Sequence, residues 1–220
     1  MRIFVIIPAY NEADTIQEVV LEVQKYIPDI IVVDDGSSDQ TFEVAETTGV
    51  IVLKHLINRG QGAALRTGTK YALKMGADIV VHLDADGQHR AKDILAMTEP
   101  VIRDEVDITL GSRFLSNSSK IPWSKKNIII PMARVINWLV AGLWLTDAHN
   151  GWRAMSKRAA KLIEIEQDHM AHNTDIIAQI VKHDLRYKEV AVEIIYREYG
   201  QGFRGGVKIL LDILKNKSLK

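Results

Sequence analysis

The chain has 220 residues, and its 28 lysines and arginines balance 28 aspartates and glutamates, so the formal net charge is zero. This balance argues against a protein that binds nucleic acid through a uniformly basic surface, and we expect no nucleic-acid partner. The absence of cysteine excludes disulfide frameworks, thiolate nucleophiles and cysteine-ligated zinc sites. The N-terminal apolar run is too short for a signal peptide, so the expected compartment is the cytoplasm.

The first half alternates short β-branched runs with helical patterns, which is typical of βαβ units and a parallel sheet. The apolar runs are continuous, as expected for strands buried on both faces. The predicted strands are 3–7, 30–33, 50–53, 79–83 and 106–110, and the predicted helices are about 12–26, 39–48, 60–76 and 91–103. The predicted fold class is therefore α/β, an open and mostly parallel sheet flanked by helices in a single domain.

Polar or charged residues follow all five predicted strands. Ligands of open α/β sheets bind beyond the carboxyl ends of the strands, so these segments are the candidate site. They are residues 8–12, 34–39, 58–62, 84–89 and 111–113.

Asp84 and Asp86, with Gln88 following, are the strongest single signal. Two carboxylates and an amide at a strand end can supply oxygen ligands to Mg²⁺ or Mn²⁺. The alternative is that Asp86 or His89 caps the helix near residue 91. A lone histidine is more often structural, so His89 stays outside the predicted metal set.

Asp34 and Asp35 are adjacent carboxylates at the end of the second predicted strand. Turn and capping chemistry explains Gly36 and an acidic or hydroxyl residue before the next helix. It does not explain the adjacent pair, whose mutual repulsion needs a partner such as a ribose diol or a base N–H. In the segment 58–62, either the backbone N–H groups near Gly60 and Gly62 meet an anion, or these glycines serve helix packing.

The second half differs in composition. Residues 114–146 contain no acidic residue, and residues 128–145 form a strongly apolar run with a predicted kink at Pro131. This run is a buried core helix, an interfacial helix on an anionic membrane or, least favoured, a membrane-spanning helix. Helices near 157–165 and 173–183 and a strand over 190–196 follow.

In their order, the five polar segments resemble those of family 2 glycosyltransferases with the Rossmann-like GT-A fold. Among these, the chain is most similar to the dolichyl- and polyprenyl-phosphate mannose or glucose synthases, and segments 147–153 and 197–200 extend the resemblance over about residues 3–206. It implies a metal-dependent, inverting transfer of a hexose from a GDP- or UDP-sugar to a polyprenyl or dolichyl phosphate. The alternatives are a family 2 enzyme with a soluble or glycan hydroxyl acceptor, and a non-catalytic nucleotide-sugar-binding protein.

The resemblance also implies roles for matching residues. Those around the base and ribose are Pro8, Tyr10, Glu12, Val33 and Asp35. Ala85 and Asp86 lie beside the diphosphate, with Asp84, Asp86 and Gln88 around Mg²⁺ or Mn²⁺.

Arginines are the implied phosphate contacts. Arg113 and Arg197 bind phosphates of donor or acceptor, and with Asp86 they form the implied catalytic set. Family members carry a lysine where this chain has Phe203, so Arg204 is the candidate substitute in the nucleotide-sugar site. With a hydroxyl acceptor, the candidate bases are Asp147 and Asp175.

The resemblance divides the chain into a transferase domain over 1–206 and a basic amphipathic tail over 207–220. Within the domain, residues 113–146 form the implied membrane-facing loop and apolar helix. Many relatives carry a C-terminal membrane domain, and we expect none in this protein. We therefore expect peripheral contact with the cytoplasmic face of a membrane, or a membrane-protein partner.

Overall fold

The computed structural model describes residues 1–115, 131, 135, 138, 142, 143, 145–147, 150–168 and 172–194. The strands are β1 (Ile3–Ala9), β2 (Ile30–Asp34), β3 (Ile51–Lys54), β4 (Ile79–His82), β5 (Ile108–Ser112), β6 (Arg153–Ser156) and β7 (Tyr187–Ala191). The helices are α1 (Ile16–Gln24), α2 (Thr41–Glu46), α3 (Gln61–Lys74), α4 (Ile94–Ile102), α5 (Lys157–Leu162) and α6 (His172–Lys182). A 3₁₀ turn, Ala91–Asp93, precedes α4.

Within the described residues, the strands form one sheet in the order β3-β2-β1-β4-β6-β5-β7. All neighbouring pairs are parallel except those of β6, which runs antiparallel to β4 and to β5. The predicted open, mostly parallel α/β sheet is confirmed. The sequence pattern does not predict β6, because the strand has only four residues and begins with an arginine.

The first five strands are confirmed, with ends that shift by up to two residues. α1 begins at Ile16 and not near residue 12, because the N–H groups of Thr15 and Ile16 close a turn on the carbonyl of Glu12. The strand predicted over 190–196 begins earlier, at Tyr187, and residues 195 and 196 lie outside the described part.

Hydrophobic layers cover both faces of the sheet. Phe4 and Ile6 of β1 pack in one layer with residues of α3, α5 and α6. Val5 and Ile7, which point to the opposite face, pack in the other layer with residues of α1 and α4. This double burial explains the continuous apolar runs and leaves the carboxyl ends of β1, β2 and β4 at one exposed edge.

No helix in the described ranges is long and apolar enough to span a bilayer. Most of the predicted membrane-facing segment 113–146 and the whole of the predicted tail 207–220 lie outside those ranges. The proposed domain boundary after residue 206 therefore stays a prediction.

Candidate active site

Two loops brace each other where β1 and β2 end. Asn11 adopts a positive φ of 55°, its N–H donates to Ser37 Oγ at 2.9 Å, and its Oδ1 accepts from the N–H of Ser38 at 2.9 Å. The N–H of Glu12 donates to Thr41 Oγ1 at 2.8 Å. This bracing fixes the segment that carries Tyr10, whose side chain is exposed.

The five residues predicted around the nucleoside all lie at this edge, but they differ in how exposed their side chains are. Pro8 and Val33 are buried and are register partners in the sheet, so only their backbones can face a ligand. Tyr10 is exposed and Glu12 half-buried, so these side chains remain accessible.

Asp35 is buried and fully engaged inside the protein. His55 Nδ1 lies 2.6 Å from its Oδ1, and its two oxygens accept from the backbone N–H groups of Arg59 and Gly60 at 2.6–3.1 Å. It is Asp34 that keeps a buried oxygen, Oδ2, without a partner among the described residues. Asp35 thus has a structural role that the sequence did not reveal, because it holds the segment 58–60 against β2.

The backbone N–H groups of the glycine segment are also used internally. Gly60 donates to Asp35, and Gly62 donates to the carbonyl of Asp168 at 2.8 Å. A Cβ at Gly62 would lie 2.0 Å from the carbonyl oxygen of Gln167. The packing interpretation is therefore confirmed for Gly62, and the anion interpretation is wrong for the N–H groups of Gly60 and Gly62.

Asp84 and Asp86 lie just beyond β4. Asp84 Oδ1 accepts from Gln61 Nε2 at 2.6 Å, and His89 Nε2 lies 3.7 Å from Asp84 Oδ2. Asp86 Oδ1 accepts from the N–H of Gln88 at 3.0 Å. The capping alternative is wrong, because the 3₁₀ turn begins after Arg90 and no side chain caps it.

The carboxylates of Asp84, Asp86 and Glu12 lie close enough to repel one another. Burial raises the pKa of Asp86, and the charge of Asp84 raises it further. Burial likewise raises the pKa of Glu12, with added repulsion from Asp86 and Asp84. Burial also works to raise the pKa of Asp84, but the nearby His89 and the charge of Arg153 outweigh it, and this pKa is lowered.

This donor set fits a divalent cation that brings other ligands with it. Across the described residues, no three His, Cys, Asp or Glu side chains converge as a metal-binding group. Mg²⁺ is usually bound through one or two carboxylates plus substrate phosphates and water, which is what the Asp84–Asp86 pair can offer. The repulsion between these carboxylates is the kind that a bound cation relieves.

Arg113 lies directly after β5 and is held by Asp147. Its Nε and Nη2 donate to the two oxygens of Asp147 at 2.7 and 2.8 Å, and its backbone N–H donates to the same carboxylate at 3.1 Å. The Asp147 side chain is only 2% exposed. Arg197 and Arg204 lie outside the described residues, and their roles stay predictions.

Both carboxylates that the sequence offers as a general base have other partners. Asp147 accepts from Arg113. Asp175 Oδ1 accepts from Gln179 Nε2 at 3.0 Å, and its Oδ2 accepts from the N–H of Glu166 at 2.9 Å.

Sequence reasoning missed Gln61 and Glu189 as site residues. Gln61 opens α3 and reaches Asp84 across the edge of the sheet. Glu189 lies on β7, one residue before the predicted start of that strand. A strand predicted from 187 would have placed this carboxylate on the sheet beside Leu110 of β5.

The family is decided by comparison with known proteins. Residues 4–163 match the family model described as glycosyl transferase family 2. The chain belongs to glycosyl transferase family 2. Its membership and its sheet confirm the GT-A fold expected from the five polar segments.

Two relatives of this family 2 chain match it over nearly its whole length. The UDP-N-acetylglucosamine–dolichyl-phosphate N-acetylglucosaminyltransferase of Methanococcus voltae is 35% identical, over 98% of this chain and 96% of that protein. The undecaprenyl-phosphate mannosyltransferase of Micrococcus luteus is 30% identical, over 94% of this chain and 88% of that protein.

A solved structure shares the fold. Glucosyl-3-phosphoglycerate synthase of Mycobacterium tuberculosis, in complex with Mn²⁺, UDP and glucosyl-3-phosphoglycerate, superposes with a TM-score of 0.71 at 16% identity. The match covers 93% of this chain and 74% of that one. At this identity the likeness concerns the fold alone.

Proposed function

We propose that this family 2 glycosyltransferase moves a hexose from a nucleotide sugar to a polyprenyl or dolichyl phosphate, with inversion at the anomeric carbon. The observation that carries the proposal is the contrast between two sets of carboxylates. Asp84 and Asp86 lie together just beyond β4, where they can share a cation, whereas both oxygens of Asp147 and of Asp175 already accept hydrogen bonds. A hydroxyl acceptor needs a base to take its proton, but a phosphate acceptor is already ionised.

In this proposal Asp84 and Asp86 hold Mg²⁺ or Mn²⁺, and Gln88 completes the predicted set. When bound, the metal supplies Lewis-acid stabilisation of the leaving nucleoside diphosphate. Arg113 orients a phosphate, because Asp147 fixes its guanidinium on one side. Tyr10 and Glu12 offer side chains to the nucleoside, Pro8 and Val33 offer backbone, and Asp35 shapes the same site by holding the segment 58–60. Arg197 and Arg204 are further phosphate contacts.

Exposed apolar side chains support contact with a membrane, from which a lipid phosphate would be drawn. Val135 and Trp138 are helical, and their side chains are 43% and 51% exposed. Leu115, two residues after Arg113, is 46% exposed. Such residues can insert at the interface of an anionic bilayer, which supports peripheral attachment, and we propose the cytoplasmic face as its side.

The names of the two full-length relatives also support a lipid-phosphate acceptor. One names a dolichyl phosphate and the other an undecaprenyl phosphate. Their sugars differ, N-acetylglucosamine in one and mannose in the other. We keep mannose or glucose as the predicted sugar and include UDP-N-acetylglucosamine in the donor screen.

The test compares two acceptors that differ only in the phosphate. The protein is incubated with Mn²⁺, a panel of GDP- and UDP-sugars, and either polyprenyl phosphate or the polyprenol of the same chain length. We expect sugar transfer to the phosphate and none to the alcohol. Transfer to polyprenol or to a soluble glycan, with none to polyprenyl phosphate, would contradict the proposal and support a hydroxyl acceptor.

A further inference from the structure

One carboxylate oxygen holds the segment that in turn holds Arg113. Glu189 Oε1 accepts three hydrogen bonds, from the N–H of Thr146 at 2.8 Å, from Thr146 Oγ1 at 2.6 Å and from the N–H of Asp147 at 3.1 Å. Asp147 then binds Arg113 through both of its own oxygens. The contacts run without a gap from β7 to the arginine at the end of β5.

The sheet fixes the starting point of this chain of contacts. Glu189 is the register partner of Leu110, three residues before Arg113. Ser112 Oγ lies 2.6 Å from Thr146 Oγ1, which joins the end of β5 to the same segment. Residues 146 and 147 belong to no strand or helix, so these side-chain contacts decide where they lie.

Among the described residues, the contacts of Glu189 in this arrangement involve no charged partner. Its Oε1 accepts only from the two backbone N–H groups and the hydroxyl of Thr146. Backbone N–H groups and the Thr146 hydroxyl are neutral donors, and a neutral amide oxygen at position 189 could accept the same bonds. This property allows hydrogen-bonding geometry to be separated from charge by substitution.

We propose that Glu189 is a positioning residue for sugar transfer, which fixes Arg113 in the phosphate site through Thr146 and Asp147. The inference rests on the proposed function, because it assigns Arg113 to a phosphate of donor or acceptor. Glu189 itself need not touch either substrate. A displacement of about 1 Å at a positioning group can cost on the order of 100-fold in rate.

The test is a set of variants assayed for transfer to polyprenyl phosphate. Glu189→Ala should lower kcat/KM by about 10- to 100-fold, and Glu189→Gln should stay within about threefold of wild type because it keeps the accepting oxygen. Glu105→Gln is the matched control. Glu105 forms an exposed ion pair at 3.5 Å with Lys188, which is next to Glu189 on β7. Loss of this exposed pair should leave kcat/KM unchanged.

A double-mutant cycle separates positioning from general stability. If Glu189 acts through Arg113, Glu189→Ala should add less than about threefold to the loss caused by Arg113→Ala, whereas independent effects would multiply. Hydrogen exchange at the amides of Thr146 and Asp147 should accelerate in Glu189→Ala and stay near wild type in Glu189→Gln. If Glu189→Ala does not fold, Glu189→Asp, whose shorter side chain cannot reach all three donors, carries the same expectations.

The outcomes distinguish the two proposals. An inactive wild type with every nucleotide sugar and polyprenyl phosphate contradicts the proposed function. An active wild type with equally active Glu189→Ala, or with losses that multiply in the cycle, overturns the positioning role alone. A loss in Glu189→Gln as large as in Glu189→Ala also overturns it, since hydrogen-bonding geometry would then not be what matters.

Discussion

Replacing Gly151 with alanine tests how closely the chain fits around Asp84. A Cβ at position 151 would lie 2.7 Å from Asp84 Oδ2 and 3.0 Å from Oδ1. Ordinary contact begins near 3.4 Å, so the carboxylate would have to move by 3.4 − 2.7, about 0.7 Å. The φ of Gly151 is not in the left-handed region, so the substitution adds no backbone strain.

The expected effect falls mainly on metal binding and only slightly on stability. The atoms that the new methyl group meets belong to the end of a side chain, so we expect a stability loss of about 1 kcal/mol. A shift of this size in a metal ligand should raise the Mn²⁺ concentration for half-maximal transfer by about 10- to 100-fold. The assay is a Mn²⁺ titration of transferase activity, with Tm measured on the same samples.

Two comparisons sharpen the test. Gly62→Ala places its Cβ 2.0 Å from the backbone oxygen of Gln167, which cannot rotate away as a side chain can. This variant should therefore lose more stability than Gly151→Ala. Combining Gly151→Ala with Asp84→Asn should add little to Asp84→Asn alone, because both act on one ligand. An unchanged Mn²⁺ midpoint in Gly151→Ala, at normal Tm, would refute the reasoning.

The remaining predictions concern stability and membrane binding. Gly62→Ala should lower the free energy of unfolding by about 1–3 kcal/mol, measured by urea denaturation; a wild-type value would mean that the segment 167–168 is not packed against α3. The pKa of Asp107 is lowered because the hydrogen bonds of Arg186 outweigh burial, which acts to raise it, so its stabilising effect is present above pH 3.8 and lost as pH falls below that value. Asp107→Asn should therefore lower the free energy of unfolding by about 2 kcal/mol near neutral pH and by progressively less below pH 3.8. An equal loss near neutral pH and below pH 3.8 would contradict the ion-pair explanation. Trp138→Ala should weaken binding to anionic liposomes about tenfold in flotation, whereas Leu95→Ala on α4, also exposed, should not; equal effects would argue against a specific membrane face.

The sequence predicts the parts of the fold whose cause is local. Continuous apolar runs identify β1 to β5 because hydrophobic layers cover both faces of the sheet. β6 is hidden because its four residues begin with Arg153, and only its place between β4 and β5 makes it a strand. The position of α1 also depends on a turn at Glu12 that periodicity does not reveal.

The site also divides into features with a local cause and features set by distant contacts. The spacing of Asp84 and Asp86 is local, and their placement at the end of β4 is confirmed. The partners of Asp35 are N–H groups 24 and 25 residues away, and Arg113 meets Asp147 at a separation of 34 residues. Such pairs are created by the order of strands in the sheet, so a single sequence could name these residues but not their contacts.

The most direct test of the central claim is a transfer assay with wild type and Asp86→Ala, using a nucleotide sugar, polyprenyl phosphate and Mn²⁺. We expect wild type to form a glycosylated lipid phosphate, EDTA to abolish the reaction, and Asp86→Ala to be at least about 1,000-fold slower at unchanged Tm. Wild-type turnover in Asp86→Ala, or full activity in EDTA, would contradict the account.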